Sequence, residues 1–395
     1  MPASNQTETG VLTLMRRAHR LALCTFGLLS VSAFASTVAS FPPGTLLENV
    51  AVGSSGNLFV TAIDSGTVFN VSPSGSSNVF GQVSGPLLGV AFNADGTLFA
   101  AGGSSLYRFA ANGTASLAAN IAGAADLNGV ALLMPGVFLV ADDAASTIWK
   151  VDVNTGSSSA WFSGGLLVPS PGGLPIGPNG IKLYGGAVYV SNTGAGTILR
   201  IPVLTDGSAG TPEVYASSLP ADDFAFASDG SLFAATELGQ IVHLLPNGDR
   251  TTISTGTLGD AAVAFGRTSA DSQSIYVVNN GGAYLDLPGG PEQASVVRLD
   301  VGTNGAVPEL QAVPEPSSFR LLGITGIIVV LCGGYKVHAL NAAHSCLQAA
   351  LPGNWVSQAL PSPALSTLLQ PLGLQSKIAL VEPSSEPPKK PAQKT

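Results

Sequence analysis

Short apolar runs separated by turn residues dominate the chain between about Glu48 and Gly305, and the same order of runs returns every ~40–50 residues. The opening runs align as Val50-Ala51-Val52, Val90-Ala91-Phe92, Val130-Ala131-Leu132, Ile181-Lys182-Leu183, Phe224-Ala225-Phe226 and Val263-Ala264-Phe265. Second runs follow, among them Leu58-Phe59-Val60, Leu98-Phe99-Ala100, Val188-Tyr189-Val190 and Ile275-Tyr276-Val277. Third runs include Ile148-Trp149-Lys150-Val151 and Val296-Val297-Arg298-Leu299. Runs this short, rich in β-branched and aromatic residues and punctuated by Ser-Gly, Asp-Gly and Asn-Gly, read as strands, since an amphipathic helix needs ten or more residues at a 3.6 period. The pattern predicts six small antiparallel sheets of three strands. One such sheet cannot bury both faces, so the six stack around an axis, and the fold class is all-β, a six-bladed β-propeller.

Composition agrees. With 10% charged residues, 45% hydrophobic, 48 Gly and 27 Pro, the chain fits a turn-rich all-β domain and not a helical bundle. A formal charge of −8, with few basic residues in the repeats, argues against a phosphate-tracking surface and excludes nucleic acid as a partner class. Cys24, Cys332 and Cys346 all fall outside the repeats, so the propeller carries no disulfide and no thiolate metal site.

The ends read differently. Arg16, Arg17 and Arg20 precede the apolar stretch Leu21 to Ala35, which closes on Ala33-Phe34-Ala35, the small residues a signal peptidase takes. The stretch is shorter than the ~20 residues that span a bilayer, so residues 1–35 are expected to be a signal peptide, with an uncleaved anchor as the alternative, and on either reading the propeller, 36–312, is expected to be exported. Val313-Pro314-Glu315-Pro316 followed by an apolar stretch to Gly334 resembles the bacterial PEP-CTERM sorting signal, here with its terminal basic cluster reduced to Lys336. Residues 313–338 are therefore expected to tether the protein to a membrane. The remainder, 339–395, is rich in Ala, Leu, Pro and Ser without a sustained period and reads as a disordered tail. Nothing in the sequence gives an oligomeric state.

With the opening strands in register, the residue two places before each forms a column: Glu48, Leu88, Asn128, Asn179, Asp222 and Ala261. Inner strands of a propeller run close to its axis, so these positions converge on one end of the central channel. Carboxylate and amide oxygens without imidazole or thiolate suit a hard divalent cation, Ca²⁺ first, with Mg²⁺, Mn²⁺ or Zn²⁺ as substitutes. His243, the one histidine in the repeats, falls in a third strand, which leaves a His-based zinc site or a Ser/His/Asp triad hard to build. Each Asn also has a plainer reading, because Asn128-Gly129 and Asn179-Gly180 are turn dipeptides. Asp95-Gly96, Asn112-Gly113, Asp229-Gly230 and Asn247-Gly248 read as hairpin turns alone. Asp142-Asp143, after the second strand of blade three, belongs either near the mouth or to a turn.

The order Glu48, Asn128, Asn179-Gly180, Asp222, with the stretches Leu47-Glu48-Asn49-Val50-Ala51-Val52, Pro178-Asn179-Gly180-Ile181 and Ala221-Asp222-Asp223-Phe224, resembles the six-bladed senescence-marker-protein/gluconolactonase/luciferin-regenerating-enzyme-like family. The resemblance implies a divalent metal on Glu48, Asn179 and Asp222, and substrate contact by Asn128. It further implies hydrolysis of a lactone or related sugar-derived ester, with Asp222 or its neighbour Asp223 as general base. The alternative is a non-enzymatic cell-surface or matrix module that binds a glycan or protein, which the sorting-like segment favours.

Overall fold

A computed structural model of the chain describes residues 35–306. The sorting-like segment, the tail and, apart from Ala35, the signal peptide lie outside them. The described residues begin with strand β1 (Ala35–Ser40). Blade one is β2 (Leu47–Val52), β3 (Leu58–Ala62), β4 (Thr67–Val71) and β5 (Ser77–Gln82). Blade two is β6 (Val90–Phe92), β7 (Leu98–Gly102), β8 (Ser105–Phe109) and β9 (Ala115–Asn120). Blade three is β10 (Leu127–Met134), β11 (Val137–Asp142), β12 (Thr147–Asp152) and β13 (Ser157–Ser163). Blade four is β14 (Pro178–Tyr184), β15 (Ala187–Asn192), β16 (Thr197–Pro202) and β17 (Glu213–Ser217). Blade five is β18 (Phe224–Phe226), β19 (Leu232–Thr236), β20 (Gln240–Leu244) and β21 (Arg250–Ser254), and blade six contains β22 (Asp260–Phe265), β23 (Ser274–Asn279) and β24 (Ser295–Asp300). Inner strands β2, β6, β10, β14, β18 and β22 touch in that order and β22 touches β2, so the ring is closed.

Each blade has four strands where the sequence predicts three. The fourth is the outermost, and its side chains are mostly exposed, as in β5 (SNVFGQ) and β9 (ASLAAN). Without a buried face it carries no apolar alternation for a sequence reading to find. In blade six the fourth strand comes from the other end of the described chain: β1 pairs antiparallel with β24, from Ala35 opposite Leu299 to Ser40 opposite Ser295. The Phe41 N–H extends this pairing to the Ala294 carbonyl (2.8 Å), and its ring packs 4.9 Å from that of Phe69 in blade one. Joining the first strand to the last ties the ring shut.

Neighbouring blades bury their faces against one another. Phe59 of blade one meets Phe92 of blade two edge-on at 5.4 Å, Phe99 meets Phe138 at 4.8 Å, and Tyr184 stacks on Phe226 at 4.3 Å. Such pairs contribute roughly 0.5–1.5 kcal/mol each beyond their area. Asp95-Gly96, Asn112-Gly113, Asp229-Gly230 and Asn247-Gly248 are hairpin turns as expected. In each the acid or amide side chain accepts the N–H two residues on, as from Asp95 to Thr97 (2.9 Å) and from Asn247 to Asp249 (3.0 Å), and each glycine has positive φ.

Candidate functional site

Asn128-Gly129 and Asn179-Gly180 are not turns. They lie inside β10 and β14, where the strand carries one extra residue against its partner: Leu127 pairs with Asp142 but Val130 with Val140, and Pro178 pairs with Asn192 but Ile181 with Val190. The same bulge occurs in β2 between Leu47 and Val50, at Glu48-Asn49. A bulge re-aims side chains and bends its strand, which is how these blades turn a polar residue to the channel mouth. The glycines serve close approach between blades. A Cβ on Gly129 would fall 2.3 Å from the Asn179 carbonyl, and one on Gly180 would fall 2.4 Å from Asp223 Oδ1. The Gly180 N–H itself donates to the Asp222 carbonyl at 2.9 Å.

Glu48, Asn128, Asn179 and Asp222 are all buried. Asn128 Nδ2 donates to Glu48 Oε1 (3.3 Å) and to Asp143 Oδ2 (3.4 Å). Asn179 Nδ2 donates to Asp222 Oδ1 and, at 3.3 Å, faces Thr193 Oγ1. Leu88 and Ala261, also buried, occupy the column in blades two and six.

A second column stands behind the first, and sequence reasoning missed most of it. The residue just past each second strand reads Ile63, Gly103, Asp143, Thr193, Glu237 and Asn280 around the ring. In blades three and four its polar member bonds the inner-strand residue of the same blade, Asp143 with Asn128 and Thr193 with Asn179. In blade five Glu237 shares a hydrogen bond with Asp222, and it also accepts from Asn280 Nδ2 at 3.1 and 3.2 Å. The signal was available: polar residues follow the apolar second runs of blades three to six in one register. Asp142 and Asp143 take separate roles. Asp142 accepts from the N–H groups of Ala125 (2.9 Å), Asp126 (3.0 Å) and Ala145 (2.9 Å) and from Trp149 Nε1 (2.9 Å), which braces the loop, while Asp143 faces the mouth.

Glu48, Asp222 and Glu237 each bring a carboxylate oxygen to within 4.8 Å of the others, all three buried. At that separation two anions repel by about 3–4 kcal/mol at an effective dielectric near 20. Burial first, and then the neighbouring acids, raise Glu48 and Asp222 above the usual carboxylate range, and burial raises Glu237. Burial, then Asp126, pushes Asp143 to about 7. The group is therefore stable either holding protons or holding a cation. Its donors are oxygens, the set a hard divalent ion takes, and Asn128 Oδ1 is buried with no protein partner, a free acceptor at the same mouth. Tyr284, partly exposed in the loop between β23 and β24, feels the same field: partial burial and then Glu48, Asp143 and Asp222 raise its phenol pKa.

Asp223 stands apart from this group. Its Oδ1 takes an ion pair from Lys182 Nζ at 2.6 Å, while its Oδ2 is buried without a partner. His243 stacks on Phe233 at 4.2 Å in β20, in the wall of blade five.

Among solved structures, the fold is similar to a gluconolactonase from Xanthomonas campestris, with 16% identity and TM-score 0.54 over 68% of this chain and 89% of that one. It is similar to regucalcin, a calcium-binding protein of Agrobacterium tumefaciens, with 16% identity and TM-score 0.57 over 71% of this chain and 98% of that one. A luciferin-regenerating enzyme matches with 13% identity and TM-score 0.57, over 71% of this chain and all of that one. The chain shares the fold of these proteins. No family model and no curated protein matches its sequence.

Proposed function

We propose that the channel mouth holds one divalent cation, calcium foremost, and opens a lactone or a related sugar-derived ester by hydrolysis. The convergence of Glu48, Asp222 and Glu237 carries this reading, because three buried carboxylates so close call for a counter-charge. The shared fold with a gluconolactonase and with a calcium-binding protein supports the same class.

Glu48, Asp222 and Glu237 would hold the ion, with Asn179 steadying Asp222. A divalent ion there would polarise a carbonyl and acidify water. Asn128, with its free Oδ1, orients the substrate. Of the two acids the sequence offers as base, Asp222 belongs to the ligand group and Asp223 is taken up by Lys182. Asp143, bonded to Asn128 and outside the ligand group, is left to accept the proton. The same concentration of acids turns away polyanionic substrates.

The protein is also read as exported and held at a membrane by its C-terminal hydrophobic segment. The supporting observation is the basic and apolar sequence before Ala35, and cleavage after Ala35 would leave the closing strand paired from Ser36 onward.

Metal content and calcium titration of the full chain beside its Glu48→Gln and Asp222→Asn variants, followed by a lactone panel, test the reading. Stoichiometric metal lost in both variants, with metal-dependent ring opening, is the expected result. No bound metal and a thermal stability indifferent to calcium would overturn it and leave a non-enzymatic binding module.

A further inference from the structure

Beyond the ends of the bulges the channel changes character. A cavity of about 800 Å³ occupies it, walled by the inner strands of all six blades with side chains such as Val50, Val90, Val130, Leu183 and Phe265. None of Glu48, Asn128, Asn179, Asp222 or Glu237 lines it. Its far rim includes Ser54, Ala94 and Arg267, each just past the end of an inner strand, so it lies toward the end of the channel opposite the acidic mouth.

Two charged residues line this cavity, Lys182 and Arg267, and both are cations. Lys182 is already neutralised by Asp223. Arg267 is not: its Nη1 donates to the Val52 carbonyl at 3.3 Å, and no ion pair among the described residues includes it. Arg267 is exposed at this rim, so its remaining donors are open to a ligand entering the cavity. An apolar cavity of this size with few fixed polar groups is the usual form of a small-molecule site, and a guanidinium with unused donors is suited to grip a carboxylate in bidentate fashion.

We propose that the far half of the channel is a second ligand site, independent of the acidic mouth, that takes an apolar molecule bearing one carboxylate, with its hydrocarbon among the inner strands and its carboxylate on Arg267. The ligand class follows from the wall and from the single uncompensated charge.

Calorimetric titration of the full chain with dodecanoate, dodecanol and dodecyltrimethylammonium tests it, beside the variants Arg267→Gln and Ala264→Phe. Dodecanoate should bind one to one and tighter than the alcohol by about tenfold or more, with the cationic amphiphile weakest. Arg267→Gln should erase the preference for carboxylate over alcohol while alcohol binding persists. Ala264→Phe, which places a ring in the cavity, should remove binding of both, with calcium binding at the mouth unchanged in each variant. No dodecanoate binding by the full chain overturns the proposal, as does binding that both variants leave intact.

Discussion

Asn128 of blade three donates to Glu48 of blade one, 80 residues away and two blades around the ring. The bond can form because blade two offers only Leu88 and Gly103 at the corresponding places, so nothing polar stands between them. The mouth is thus organised across the channel as well as along each blade.

Glu237 is the carboxylate that the inner-strand column does not contain, and it completes the three-acid group. Since ligand charge sets calcium affinity in oxygen sites, Glu237→Gln should weaken calcium binding by about tenfold or more. Isothermal titration of the purified variant reads this directly, and unchanged affinity would remove Glu237 from the site.

Asp143 and Glu237 should separate by function. Asp143→Asn should lower kcat on a lactone substrate by about a hundredfold or more and leave calcium affinity near that of the parent protein. Steady-state kinetics alongside a calcium titration would show the split. Loss of metal with activity would instead make Asp143 a ligand.

Gly180 is required by proximity. Gly180→Ala would set a methyl 2.4 Å from Asp223 Oδ1 and 2.8 Å from the Asp222 carbonyl, neither able to withdraw without shifting the segment that leads into β18. A loss of roughly 1–3 kcal/mol is expected, as for overpacking, measurable by chemical denaturation.

Strand β1 should decide whether the ring holds. Among the described residues, a chain beginning at Ser36 gives up the Ala35–Leu299 pair alone, and it should unfold at the same temperature as one beginning at Ala35. A chain beginning at Pro42 leaves the edge of β24 bare beside the core that Ala39 and Phe41 help fill, and it should unfold earlier and self-associate through that edge. Thermal melts and size-exclusion chromatography would compare the two.

Asp260 at the start of β22 is buried and accepts from the hydroxyls of Thr255 and Thr257, yet burial raises it to about 7. The folded protein therefore holds this proton more tightly than the unfolded chain between about pH 4 and 7, and stability falls as pH rises through that window, by up to about 1.4 kcal/mol per pH unit for the one proton. In chelator, the parent protein should melt higher at pH 5.5 than at pH 7.5. Asp260→Asn, which cannot ionise, should narrow that difference.

The strand pattern, the six-fold repeat and the inner-strand column were legible in the sequence because each is local. Apolar triplets at the start of every unit mark the strand that lines the axis, and bringing them into register ranks Glu48, Asn128, Asn179 and Asp222 together. What belongs to the tertiary structure is whatever depends on neighbours distant in the chain. The outer strands face solvent and have no pattern to read, and β1 finds its place only because the ring returns the last blade to the first. An Asn-Gly pair looks the same in a bulge as in a turn until the carbonyl of the next blade is seen 2.3 Å from where a Cβ would sit. Glu237 and Asp143 lie behind the inner strands by one hairpin each, so only folding, which sets second-strand ends beside first-strand starts, brings their charges into the same few ångströms of buried space.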